Sequence, residues 1–111
     1  MRPNMSDLDF TICCTVTFFS KKRRTPPNLN NGKYCPHLVV KGSEQLLGVN
    51  FIDGEDVTFD KQIGANALPE NEAVDYSILQ EGTEFLIMEG SAIVGEGIVK
   101  EIFQHKPFGN K

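Results

Sequence analysis

Apolar and polar residues alternate with period 2 along most of this chain, and the 3.6-residue period of an amphipathic helix is hard to find anywhere. The clearest run is Asp9–Phe19, where Phe10, Ile12, Cys14, Val16 and Phe18 fall on one face and Thr11, Cys13, Thr15 and Thr17 on the other. Successive side chains of a strand point to opposite faces, so this spacing predicts a half-buried strand with a Thr-rich outer surface. Lys21–Asn31 follows as a basic loop broken by Pro26-Pro27 and Asn30-Asn31-Gly32. Tyr34–Lys41 reads as a second strand, with Pro36 near its start, where a missing N–H is tolerated. Gln45–Ile52 reads as a third, with Leu47, Val49 and Phe51 on one face, and Asp53-Gly54 predicts a hairpin turn into a short strand at Glu55–Phe59.

Asp60–Asn71, with Gly64 and Pro69, reads as the longest irregular connection. Glu72–Gln80 puts Val74, Tyr76 and Ile78 on one face of a further strand. Glu84–Met88, a tight turn at Glu89-Gly90-Ser91 and a long strand Ala92–Phe103 complete the pattern. Gly95 and Gly97 would weaken that last strand unless they mark a bulge, a bend or a close backbone approach. Six or seven short antiparallel strands predict a closed barrel or a small sandwich, and closure would remove the exposed edges of so small an all-β domain.

The 111 residues suffice for one domain, read as residues 9–105 between flexible tails at 1–8 and 106–111. At 40% hydrophobic and 23% charged, the composition is that of a globular domain. There is no apolar run long enough to cross a bilayer, and an export leader is not expected. Three cysteines, two of them adjacent, make no disulfide framework and point to a reducing, cytoplasmic setting. Charge divides the chain: residues 1–41 carry a net +5 and residues 42–111 a net −9. A chain acidic overall repels polyanions, so nucleic acid would have to be met by a local patch, for which Lys21-Lys22-Arg23-Arg24 is the candidate. Such a run is equally the chemistry of a solvated loop.

Catalytic signatures are scarce. The sequence has no phosphate-binding P-loop, and Gly90–Gly95 lies between strands with no helix to follow it. Cys35 and His37, with Cys13 or Cys14 as a third ligand, match no standard zinc spacing. Cys14 sits on the apolar face, where a thiol is inert. Neither a cofactor nor an enzymatic activity is expected.

The segment Glu84–Val99 resembles the last hairpin of the third domain of elongation factor Tu, with Phe85, Ile87, Glu89, Gly90, Val94, Gly95, Gly97 and Val99 agreeing in type. Asp9–Phe18 is similar to that domain's first strand, Arg23-Arg24-Thr25-Pro26 to its Arg-His-Thr-Pro, and Tyr34-Cys35-Pro36-His37-Leu38 to its Tyr-Arg-Pro-Gln-Phe. The resemblance spans roughly residues 9–103 and implies a six-stranded antiparallel closed β-barrel. It also implies contacts with the T-stem backbone of aminoacyl-tRNA, with protein partners and with no nucleotide, because the family's GTPase domain has no counterpart here. Cys35, Met88 and Ala92 stand where the family has arginines, and His37 where it has a glutamine, so the phosphate-facing cations are depleted.

The expected function is that of a non-catalytic, stand-alone binding module with a protein partner and, through the resemblance, a link to translation. Phe19, Pro26, Pro27 and Leu29 are its expected apolar surface. The alternative is tRNA-like backbone binding, and the candidate contacts for either partner are Lys21, Lys22, Arg23, Arg24, Lys33, His37, Glu89 and Gly90, with Lys41 as an added cation. A small-ligand binder or a thiol enzyme is the remaining alternative.

Overall fold

The computed structural model describes residues 9–105; the two tails expected at 1–8 and 106–111 lie outside them. Six strands form: β1 (Phe10–Phe18), β2 (His37–Val40), β3 (Leu47–Gly54), β4 (Ile63–Pro69), β5 (Glu84–Glu89) and β6 (Ala92–Gln104). They close into an antiparallel barrel in the order β1-β4-β3-β2-β5-β6, with β6 returning to β1. No helix occurs among the described residues. The six-stranded closed barrel expected from the sequence is therefore the observed fold.

Alternation becomes inside and outside as the pattern requires. Phe10, Ile12, Cys14, Val16 and Phe18 of β1 point inward beside Leu47, Val49 and Phe51 of β3, Phe85 and Ile87 of β5, and Val94 and Val99 of β6. Burying each such large side chain contributes roughly 1.5–3 kcal/mol. Two ladder irregularities bend the long last strand, one where Ile87 and Met88 of β5 face Gly95 and Ile93, the other where Cys13 and Cys14 of β1 face Glu101 and Val99. Between them the glycines are explained by close approach. A Cβ on Gly97 would lie 2.6 Å from the Phe85 ring and 2.6 Å from the Thr15 carbonyl oxygen, and one on Gly95 would lie 2.5 Å from the Thr17 carbonyl oxygen.

Three sequence expectations are corrected. The stretch read as irregular contains β4, paired with β1 from Ile12↔Ala67 to Val16↔Ile63 and with β3 from Val49↔Pro69 to Gly54↔Ala65. Its inward residues Ile63, Ala65 and Ala67 are buried. Glu72–Gln80 forms turns rather than a strand. Tyr76 anchors it, with its hydroxyl accepting from the backbone N–H groups of Glu70 and Asn71, while Leu79 is buried. Asp53-Gly54 ends β3 instead of turning a hairpin, and Glu55–Phe59 is no strand. The Asn30 side chain occupies both backbone groups of Gly54, accepting from its N–H at 3.2 Å and donating to its carbonyl at 3.0 Å.

Candidate functional site

The β1–β2 connection carries the basic run out of the barrel at the end where Phe18, the β5–β6 turn and the β3–β4 connection meet. Leu29 fastens it from inside: the side chain is 1% exposed and reaches the end of β3, where a Cβ on Gly54 would lie 2.8 Å from Leu29 Cδ1. Pro27 is buried as well, and Phe19 is half-buried. Of the four apolar residues expected at the surface, only Pro26 is exposed, because the loop folds the others back to cap the barrel.

Outside, a single carboxylate ties the same loop down. Arg23 Nε donates to Glu89 Oε2 at 2.8 Å, and the Tyr34 hydroxyl donates to the same oxygen at 2.6 Å. The Arg23 guanidinium lies 5.6 Å from the centroid of the Tyr34 ring, a cation–π distance. That ring stacks on Phe51 at 5.8 Å and meets Phe18 edge-on at 5.9 Å. Burial, then the hydrogen bond and the charge of Glu89, push the Tyr34 phenol well above its ordinary range, and the nearby Arg23 charge only partly opposes them. Arg23 and Glu89, two of the residues singled out in the sequence, are thus brought together, but mainly with each other.

The remaining candidates divide. Lys21, Lys22, Arg24 and Lys33 are exposed and in no ion pair among the described residues. Gly90 makes the β5–β6 turn at φ +60°, with open space where a side chain would be. His37 is exposed on the outer face of β2, opposite Gly48 and Met88. Lys41 lies toward the other end of β5, where its ammonium pairs with Glu84 at 3.1 Å and Glu96 at 3.6 Å. Lys41 therefore does not converge with Arg23 on one cationic face.

The three thiols sit in different settings. Burial and the neighbouring Cys13 push the Cys14 thiol up to about 12, and its sulfur lies 3.6 Å from the Ala65 carbonyl oxygen. Cys35 is exposed, its thiol raised by partial desolvation and by Glu70. Among the described residues no three His, Cys, Asp or Glu side chains are grouped to hold a metal ion. An open groove of about 600 Å³ crosses the outer face, lined in part by Cys13, Thr15, Asp53, Glu55, Asn66 and Lys100. Its acids are already engaged: Asp53 accepts from the Asn66 amide at 2.7 Å and Glu55 from the Gly64 N–H at 3.1 Å.

The surface feature that sequence reasoning missed is on β6. Ile93, Ile98 and Phe103 are 37%, 37% and 48% exposed, three of the five large hydrophobic side chains that stand out among the described residues. Thr15 lies opposite Ile98 and Thr11 opposite Phe103 on β1, so the apolar stripe is bordered by uncharged threonines. Glu96 lies on β6 between Ile93 and Ile98, and with Glu84, opposite Ile98 on β5, it pairs with Lys41. The signal was present in the alternation of the last strand, but Gly95, Gly97 and the two ladder irregularities hide which positions face out. Neither protein-family models nor curated proteins match this sequence.

Proposed function

We propose that the protein is a non-catalytic binding module, resembling the third domain of elongation factor Tu, that engages a protein partner through the outer face of β6 and its neighbours β1 and β5. The observation that carries this reading is the stripe of Ile93, Ile98 and Phe103 along one 13-residue strand. From Ile93 to Phe103, at about 3.3 Å per residue, it extends over roughly 33 Å. Apolar side chains gathered on one open sheet face and rimmed by charges are the usual make-up of a protein contact surface. A translation-linked role is part of the proposal and is supported by the sequence resemblance.

RNA binding is the second reading, favoured by Lys21, Lys22, Arg24 and Lys33 standing exposed and outside ion pairs among the described residues. It is the weaker of the two because affinity for a polyanion grows with the number of phosphates neutralised. Arg23 is engaged with Glu89, and Lys41, toward the other end of β5, with two glutamates, which leaves four cations for the loop to offer.

Affinity capture with the tagged chain at low and high salt, read out for both protein and RNA, separates the two. The protein reading expects a partner that survives high salt and is lost on Ile98→Thr with Phe103→Ser. Capture of RNA alone, lost on Lys21→Ala with Lys22→Ala and Arg24→Ala, overturns it in favour of the second.

A further inference from the structure

We infer that Asn31 is a site of spontaneous deamidation, a modification that places a negative charge in the strongly basic loop between β1 and β2. The Asn31-Gly32 pair lies at the exposed tip of that loop. Gly32 has φ +72° and no atom within 4 Å of the place a Cβ would take, so nothing crowds its backbone nitrogen from the side-chain direction. The Lys33 N–H donates to Asn31 Oδ1 at 3.0 Å. That bond folds the Asn31 side chain along the chain toward Gly32 and polarises the amide carbonyl in the sense that stabilises an oxyanion on it.

The chemistry needs only water and hydroxide. The Gly32 nitrogen, after losing its proton, attacks Asn31 Cγ. A new N–Cγ bond forms, the Cγ–Nδ2 bond breaks, and ammonia leaves, closing a five-membered imide. Water then opens the imide at one of its two carbonyls. Cleavage of the N–Cγ bond gives aspartate at position 31, and cleavage at the backbone carbonyl gives isoaspartate, with an extra methylene in the main chain. Either product moves the formal net charge from −4 to −5 and sets a carboxylate between Arg24 and Lys33 in the sequence of the loop.

Four of the five other asparagines of the described residues provide the contrast. Asn30 has its amide clamped to both backbone groups of Gly54, and Asn66 donates to Asp53 from within β4. Asn28 is one control, since its Oδ1 accepts from the Asn30 N–H at 2.8 Å and Leu29 follows it. Asn71 is another. Its Oδ1 accepts from the Ala73 N–H at 2.9 Å, the same local turn as at Asn31, but the residue that follows it is Glu72, whose side chain hinders attack by the backbone nitrogen.

Incubation of the purified chain at neutral and at mildly alkaline pH, followed by peptide mapping with fragmentation that separates aspartate from isoaspartate, tests this. The expected result is conversion concentrated at position 31, with a rate that rises in proportion to hydroxide and falls by an order of magnitude in Gly32→Ala. The accompanying acidic species on ion exchange is expected to vanish in Asn31→Gln. Conversion at Asn31 no faster than at Asn71, or an acidic species that persists in Asn31→Gln, overturns the assignment.

Discussion

Glu89 Oε2 accepts from Arg23 Nε at 2.8 Å, and so the basic loop after β1 is fastened to the final residue of β5, 66 positions further along the chain. Tyr34 shares that oxygen from between the two, its ring lodged against Phe18 and Phe51 of the core. The loop is consequently held from both sides, by Leu29 within the barrel and by this carboxylate outside it.

Removing the carboxylate leaves two donors without an acceptor. Glu89→Ala is expected to cost about 1–3 kcal/mol in urea unfolding, and Glu89→Gln less, because its amide oxygen still accepts from Tyr34. Both partners of the ion pair are partly exposed, so a double-mutant cycle of Arg23→Ala with Glu89→Ala is expected to give a coupling of only about 0.2–1 kcal/mol.

The raised Tyr34 phenol fixes the sign of an alkaline effect. Its ordinary value is 10.0 and the folded state holds it higher, so the unfolded chain releases this proton first. Its contribution to stability is complete below pH 10 and declines as pH climbs from there toward the folded-state value. Unfolding curves above pH 10 are expected to show that loss, and Tyr34→Phe to remove the Tyr34 share of it. Phenolate absorbance in the native protein should lag behind that of the unfolded chain over the same range.

Thiol labelling at mildly alkaline pH should rank the three cysteines by access and ionisation. Cys35 is exposed and is expected to react first, with half-buried Cys13 slower. Cys14, buried and pushed up to about 12, is expected to react only as the protein unfolds. Counting modified thiols by mass with and without denaturant checks the order.

Gly97→Ala would bring a methyl to 2.6 Å from both the Phe85 ring and the Thr15 carbonyl oxygen. The expected cost is about 1–3 kcal/mol or more in urea unfolding. Adding Phe85→Leu is expected to recover only part of it, because the carbonyl belongs to the backbone of the β1 neighbour and cannot step aside. Full recovery would show that the ring alone sets the need for glycine.

On the outer surface, Ile98→Thr and Phe103→Ser are expected to shift stability by no more than about 0.5 kcal/mol each, since both side chains are substantially exposed. Loss of a captured partner with unchanged urea midpoints would locate the binding face on β6.

Much of the barrel was legible because its strands carry their own evidence. In β1, five apolar residues at every second position fixed which side faces inward, and the same holds for Leu47, Val49 and Phe51 in β3. β4 was illegible for the opposite reason. Its inward residues Ile63, Ala65 and Ala67 are mostly small, and Gly64, Asn66 and Pro69 have low strand preference, so only pairing on both sides with β1 and β3 makes it a strand. Glu72–Gln80 misled in reverse: Val74, Tyr76 and Ile78 alternate, yet the segment turns, because Tyr76 and Leu79 are drawn into the barrel while Ile78 stays 39% exposed.

The candidate site was legible only as an inventory. The sequence alone determined the all-β class, the inward face of the main strands and the basic character of the first loop. Tertiary structure decided that Arg23 belongs to Glu89, that Lys41 belongs to Glu84 and Glu96, and that Leu29 and Pro27 turn inward. Alternation is a property of neighbours along the chain, and a sequence displays it directly. Ion pairs and plugs join residues tens of positions apart, and their partners are chosen only when the cylinder closes and sets the register between its strands.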